Sequence, residues 1–179
     1  MTTLLIATPT QACGDNSASR DLVLGCAMTT ANEDVRVVTA SREIEAPAGR
    51  IFELIADPTQ QPRWDGNSNL LEAPAGQRVR ARGDVFTMTT TKQKAKENHV
   101  VEFDEGRRIA WKPADAGQAP SGHVWRWELE PIDATRTRVT HTYDWTGLTD
   151  ERKLQSARAR TAEMLQASLD RLADLAERG

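Results

Sequence analysis

The sequence predicts an α+β fold in which an antiparallel sheet of seven strands is covered on one face by a long C-terminal helix. Segments with the residue types and alternation of β-strands follow one another between residues 69 and 145, separated by turn-forming residues. The helical patterns lie outside that stretch, with two short ones before it and a long one after it. Because helices and strands are segregated along the chain, the alternating order of a parallel α/β sheet is not expected.

Residues 35–179 are predicted to form the folded domain and residues 1–34 a disordered N-terminal tail. The tail is rich in Thr, Ala, Ser, Asn and Asp and has no sustained period of 2 or 3.6 residues. Its opening "MTT" recurs at Met28, so a start at Met28 is a hypothesis. Both cysteines, Cys13 and Cys26, lie in the tail, which argues against a disulfide framework or zinc site and favours a cytoplasmic location.

Composition and motifs argue against nucleic-acid binding, a membrane-spanning helix and a bound cofactor. A net charge of −3 and a pI of 5.7 argue against a nucleic-acid-binding domain. No apolar run approaches the ~20 residues of a membrane-spanning helix. The chain has no glycine-rich phosphate loop and no nucleophile elbow, so no cofactor is predicted.

The first elements are a strand and two short helices. The strand covers residues 35–44, "VRVVTASREI". The segment "APAGRIFELIADP" predicts a helix that has Pro47 at its first position and is limited by Pro58. The segment "TQQPRWDG" predicts one further helical turn that ends at Gly66.

Six more strands are predicted to follow. Two tight hairpins are indicated by "DEG" at 104–106 and "PIDA" at 131–134. The segment "KQKAKEN" at 92–98 is interpreted as a solvated hairpin loop, with contact to an anionic ligand or a membrane surface as the alternative. The six strands are Asn69–Glu72, Arg82–Thr91, Asn98–Asp104, Arg107–Pro113, Gly122–Glu130 and Thr135–Trp145.

One long helix is predicted over Asp150–Arg178, with Thr149 as its N-cap. Its apolar stripe recurs at 3–4 residue spacing but contains Ala, Thr and Ser among the leucines. Such a helix packs on a sheet without filling all the space beneath it.

Several stretches resemble the SRPBCC superfamily, specifically its START-related, polyketide cyclase/dehydrase-like members. They are "IEAPAGRIFELIADPTQQPRWD", "RGDVFTM", "VVEFDEGRRIAW", "HVWRWELEP" and "TRVTHTYDW", and with the terminal helix they extend from about Val35 to Ala176. The resemblance implies a helix-grip fold, in which a curved sheet grips the C-terminal helix around a cavity. Members bind lipids, quinones, polyketides or hormones, and some catalyse cyclisation.

Alternation along the strands predicts which side chains face the helix. The aromatic residues of the last two strands fall on one face and the charged residues on the other. The hairpin at "PIDA" would place Trp125 opposite His141 and His123 opposite Tyr143. The predicted inward set is Phe86, Met88, His99, Val101, Phe103, Ile109, Trp111, His123, Trp125, Trp127, Leu129, Val139, His141, Tyr143 and Trp145.

The inward set predicts either a filled core or the wall of a ligand cavity, and parity does not distinguish them. The leading interpretation is a protein that binds a small hydrophobic or aromatic ligand of lipid or polyketide type. His141 and Tyr143 would orient the ligand, although each is alternatively a hydrogen-bonded core residue. The predicted apolar wall is Trp64, Phe86, Met88, Phe103, Trp111, Trp125, Trp127 and Leu165.

Two alternatives remain open from the sequence. The first is a cyclase or dehydratase that uses the same pocket, with His141 as general base and Tyr143 as proton donor. The second is an interaction module with a vestigial pocket, which a filled interior would favour. Three histidines share the inward parity, but no short ligand spacing supports a metal site.

Overall fold

The computed structural model describes residues 35–178, and it contains the predicted α+β architecture. The predictions made for residues 1–34, including those on Met28 and the two cysteines, lie outside the described residues. The strands are β1 Val37–Ile44, β2 Leu70–Glu72, β3 Val85–Thr90, β4 Ala95–Asp104, β5 Arg108–Asp115, β6 Val124–Pro131 and β7 Thr137–Asp144. The helices are α1 Ala48–Ala56, α2 Gln61–Trp64, α3 Glu151–Arg158 and α4 Ala162–Glu177, with a 3-10 turn at Pro58–Gln60.

The seven strands form one sheet in the order β1-β7-β6-β5-β4-β3-β2. Every neighbouring pair is antiparallel. The connection from β1 to β2 contains the two short helices, as predicted, and carries the chain from one edge of the sheet to the other. The predicted helix-grip fold is therefore confirmed.

Helix α4 packs its apolar stripe against the sheet and against α2. Its leucines 165, 169 and 172 are fully buried. Ser168, on the same face, accepts a hydrogen bond from the backbone N–H of Gly66 at 2.9 Å. A Cβ on Gly66 would lie 2.4 Å from the backbone nitrogen of Ser168, so only glycine fits this approach of the α2 end to α4.

The predicted single C-terminal helix is wrong in one respect, because it is divided between Arg158 and Ala162. Thr161 lies in extended conformation, with φ −114° and ψ 163°, and begins α4 as its N-cap. The β-branched Thr161 is better suited to that position than to a helix interior. In α3 only Ala157 is buried, so no continuous stripe of large apolar residues holds the two segments in one helix.

Strand β4 also differs from the prediction. It begins at Ala95 rather than Asn98, so Lys96 belongs to the strand and not to a solvated loop. The turn before it is tight because Gln93 adopts a φ of +57°.

The inward residues of β4 were predicted with the wrong parity. Asn98 and Val100 are buried, which places the predicted His99 and Val101 on the opposite face. The register between β4 and β5 shifts between Val100 and Glu102. This bulge restores Phe103 to the inner face.

Among the helices of residues 35–178, none combines the length and the apolar character that crossing a membrane requires.

Candidate ligand-binding cavity

A cavity of about 340 Å³ lies between the sheet and the helices. Its lining comes from α2 and the loop after it, from β2 to β7, from α3 and α4, and from the break between those two helices. This volume is at the lower end of the range of ~300–1,000 Å³ that is usual for small-molecule sites. The interior is therefore not a completely filled core.

The inner wall of the cavity is aromatic. The ring of Trp125 lies 4.2 Å from that of Tyr143 and 5.4 Å from that of His141, measured between centroids. Trp111 lines the cavity further along the sheet and contacts Phe86 edge to face at 5.5 Å. Aromatic rings in these offset and edge geometries stabilise one another and give the wall a defined shape.

The pairing between β6 and β7 differs from the predicted register by two residues. Trp125 lies opposite Tyr143, and Trp127 lies opposite His141. The prediction centred the turn on "PIDA", whereas the pairing ends at Pro131 and Thr137 and leaves a longer loop between them. The inward parity is unaffected because a shift of two residues preserves the face.

His141 is buried in the cavity wall as a neutral imidazole. Its ring stacks on Trp127 with 3.7 Å between centroids and 12° between planes. Burial lowers the pKa of His141 from 6.5 to about 3, against a smaller opposing effect from the backbone of Leu165. Nδ1 of His141 has no hydrogen-bond partner among the described residues.

Within residues 35–178, two further cavity residues have buried polar atoms without a hydrogen-bond partner. They are Gln61 through Nε2 and Asn67 through Oδ1. Buried polar groups are nearly always hydrogen-bonded in folded proteins. Together with Nδ1 of His141, these atoms are available to the polar groups of a ligand or to water.

Tyr143 and His123 continue the wall towards the opening. Burial raises the pKa of the Tyr143 phenol, with a smaller lowering effect from the charge of Arg160. His123 lies edge to face with Tyr143 at 5.7 Å, and its Nδ1 lies 3.2 Å from Oγ of Ser121. Burial, with the nearby cations, lowers the pKa of His123 to about 4.

The more exposed end of the cavity, here called the mouth, is formed by Lys96, Asp115, Lys153 and Arg160. Nζ of Lys96 donates to Asp115, and Nζ of Lys153 lies 3.8 Å from the same carboxylate. These cations hold the pKa of Asp115 below its usual value. The cavity thus joins an aromatic interior to a charged opening.

Six of the residues predicted for the site line the cavity: Trp64, Met88, Trp111, Trp125, His141 and Tyr143. The other four, Phe86, Phe103, Trp127 and Leu165, do not line it. Trp127 and Phe86 lie on the same face of the sheet beside the wall, where their rings contact His141 and Trp111. Phe103 lies beyond the β4 bulge against Phe52 of α1, and Leu165 is completely buried.

Several cavity residues were missed because they lie in loops or at element ends. The loop after α2 contributes Asp65, whose carboxylate accepts from the backbone N–H groups of Asn67, Asn69 and Leu70 at 3.0, 2.7 and 3.0 Å. The run "WDGNSN" contains the turn-forming types that could have suggested this loop. Nothing in the local sequence indicates that it meets the sheet at the cavity.

Across residues 35–178, His, Cys, Asp and Glu side chains do not gather in any group of three or more that could hold a metal ion.

The fold and the cavity define a helix-grip protein. The family described as "Polyketide cyclase / dehydrase and lipid transport" matches residues 36–177, and the chain belongs to that family. The predicted resemblance to the SRPBCC superfamily is therefore confirmed.

Curated relatives match part of this chain. The uncharacterized protein Rv0088 of Mycobacterium tuberculosis is 29% identical over 119 residues, which cover 60% of this chain and 47% of that protein. The chain therefore spans about half the length of the curated relatives it matches.

Solved structures show the same architecture. Protein CV1439 from Chromobacterium violaceum is similar with a TM-score of 0.58 and 19% identity, covering 80% of this chain and 99% of that one. The Zhui aromatase/cyclase from Streptomyces sp. R1128 is similar with a TM-score of 0.55 and 18% identity, covering 80% and 94%. At these identities the likeness concerns the fold.

Proposed function

We propose that the protein binds a small hydrophobic or aromatic ligand, of lipid or polyketide type, in the cavity between the sheet and the C-terminal helices. The observation that carries the proposal is the cavity of about 340 Å³, which is lined by tryptophan, tyrosine and histidine rings. Burial of apolar ligand surface would supply the affinity at ~25 cal/mol per Å². The family description, with its polyketide and lipid terms, supports the same class of ligand.

Polar selectivity would come from the unpartnered atoms of the wall. Nδ1 of His141 and Nε2 of Gln61 are buried without hydrogen-bond partners in the part of the chain that the structure describes. A ligand hydroxyl or carbonyl that reaches them would satisfy groups that otherwise destabilise the fold. A ligand with a few polar groups on an apolar body fits this arrangement better than a pure hydrocarbon.

Catalysis by His141 is the less supported alternative. A general base works best when its pKa lies near the working pH, whereas burial lowers the pKa of His141 to about 3. A neutral imidazole of such low basicity suits hydrogen bonding to a ligand better than proton abstraction. A vestigial interaction module is also disfavoured, because it would be expected to have a filled interior.

Titration with the fluorescent probe N-phenyl-1-naphthylamine tests binding. We expect saturable enhancement of probe fluorescence and quenching of tryptophan emission in the full chain. Trp125→Phe should weaken binding several-fold because Trp125 lines the cavity. Trp145→Phe, which removes a buried indole that does not line the cavity, is the matched control. Absence of saturable binding to the folded protein would refute the proposal.

The role of His141 is tested with 2-naphthol and naphthalene. The two compounds differ by one hydroxyl group, so the ratio of their affinities reports the polar contact. His141→Phe keeps an aromatic ring on Trp127 and should reduce the preference for 2-naphthol about tenfold, as for the loss of one hydrogen bond. Equal weakening of both compounds would instead indicate that His141 serves only as packing.

A further inference from the structure

The mouth of the cavity is lined by basic side chains from three different parts of the chain. Lys96 lies on β4, Lys153 lies on α3, and Arg160 lies in the break between α3 and α4. All three are half-buried rather than freely solvated. They make the mouth positively charged, although the net charge of the whole chain is −3.

The acidic residues at the mouth do not balance these cations. Within residues 35–178, Asp115 is the one carboxylate that forms ion pairs with them, and it is shared by Lys96 and Lys153. Arg160 has no carboxylate within ion-pair distance among residues 35–178. One carboxylate therefore faces three cations.

The other acidic residue of the lining, Asp65, is directed elsewhere. Both of its carboxylate oxygens accept hydrogen bonds from backbone N–H groups of its own loop, at Asn67, Asn69 and Leu70. It stabilises the loop and contacts none of the three cations. The excess of positive charge at the mouth thus remains.

The field of these cations extends to the aromatic interior. After burial, the charges of Lys153, Arg160 and Lys96 are the causes that lower the pKa of His123. His123 in turn contacts Tyr143, which belongs to the inner wall. An anion at the mouth would lie in a favourable potential next to the apolar site.

We propose that the ligand of the cavity carries an anionic oxygen group, such as a carboxylate, which Arg160, Lys153 and Lys96 bind at the mouth. This inference rests on the proposed function, because the aromatic interior would take the apolar body of the same ligand. Arg160 can present two parallel N–H donors to a carboxylate, and the lysines add charge. The ligand class is therefore an amphipathic acid with either an aromatic or an aliphatic body.

Displacement of bound N-phenyl-1-naphthylamine from the full chain tests this class. Each of two pairs of competitors compares an anionic carboxylate with the neutral amide of similar shape: 2-naphthoate against 2-naphthamide, and dodecanoate against dodecanamide. We expect at least one acid to compete about tenfold better than its amide, as for one charge-assisted contact of ~1.4 kcal/mol. The pair in which acid and amide differ more in affinity shows whether the body of the ligand is aromatic or aliphatic.

Variants that each remove one positive charge locate the anion site. Arg160→Gln should reduce the preference for the acid to about twofold. Arg152→Gln is the matched control, because Arg152 lies on α3 beside Lys153, is 91% exposed and does not line the cavity. Lys153→Gln provides a second cavity variant if Arg160→Gln does not fold.

The outcomes separate the two proposals. If the probe binds but each amide competes as well as its acid, the anion site is refuted while the apolar cavity stands. Equal loss of preference in Arg152→Gln and Arg160→Gln would indicate a long-range effect of net charge and would also refute the site. If neither the probe nor any competitor binds, by fluorescence or calorimetry, the proposed function itself fails.

Discussion

Buried neutral histidines should make the free energy of unfolding depend steeply on pH between 7 and 5. His141 and His123 have pKa values lowered from 6.5 to about 3 and about 4, and burial is the main cause for both. In the unfolded chain each would bind a proton near pH 6.5, whereas in the folded chain it would not. The stabilising contribution is therefore fully present above pH 6.5 and is lost as the pH falls towards the folded values.

The magnitude follows from proton linkage. For one histidine with an unfolded pKa of 6.5, lowering the pH from 7 to 5 removes about 2 kcal/mol of stability. His141 and His123 together should remove about 4 kcal/mol, a large fraction of the ~5–15 kcal/mol typical of a domain. The carboxylates with lowered pKa values, such as Glu53 and Glu102, contribute mainly below pH 5.

Urea unfolding of the full chain and of His141→Phe at pH 7, 6 and 5 measures this dependence. His141→Phe retains a ring against Trp127 but cannot bind a proton, so its loss between pH 7 and 5 should be about half that of the parent chain. The comparison uses the change with pH and is independent of any constant loss of stability in the variant. Identical pH dependence in the two proteins would refute the neutral, buried state of His141.

Three further predictions concern packing and can be measured by thermal or urea unfolding. Gly66→Ala should lower the free energy of unfolding by about 2–3 kcal/mol, because the added Cβ would lie 2.4 Å from the backbone nitrogen of Ser168. Gly49→Ala in α1 is the control: its Cβ would have no atom within 4 Å, so the substitution should be neutral or stabilise the fold by up to ~1 kcal/mol. Trp127→Ala should cost ~3–5 kcal/mol, since the completely buried indole supports the cavity wall. Asp65→Ala should cost about 3 kcal/mol because three backbone N–H groups lose their acceptor, and a loss below ~0.5 kcal/mol would contradict that role.

Strand parity could be predicted wherever alternation was regular. Phe86 and Met88 of β3, and Trp127 and Leu129 of β6, are buried as their parity indicated. The prediction failed in β4, where the register shift near Val100 inserts a residue that alternation cannot reveal. Period-2 analysis locates a strand's inner face only as far as the next bulge.

The aromatic residues on the inner face of the sheet could be predicted from the sequence. Which of their rings line the cavity could not. Trp125 and Trp127 share one face, but Trp125 lines the cavity whereas Trp127 is covered by other rings, with His141 stacked on it. That difference depends on what α2 and α4 place above each ring, such as Trp64, whose ring lies 5.1 Å from that of Trp127. Contacts between elements distant in sequence are not encoded in strand spacing.

The points where the sequence-based prediction failed contribute residues to the mouth of the cavity. The early start of β4 places Lys96 in the sheet, and the break between α3 and α4 contains Arg160. Departures from regular structure are expected at functional sites, because regular packing would place apolar residues there. An unbroken helix with a continuous leucine stripe would have covered the sheet more completely. The division of the C-terminal helix thus leaves a basic side chain, Arg160, at the mouth of the cavity, where the proposed anion site requires one.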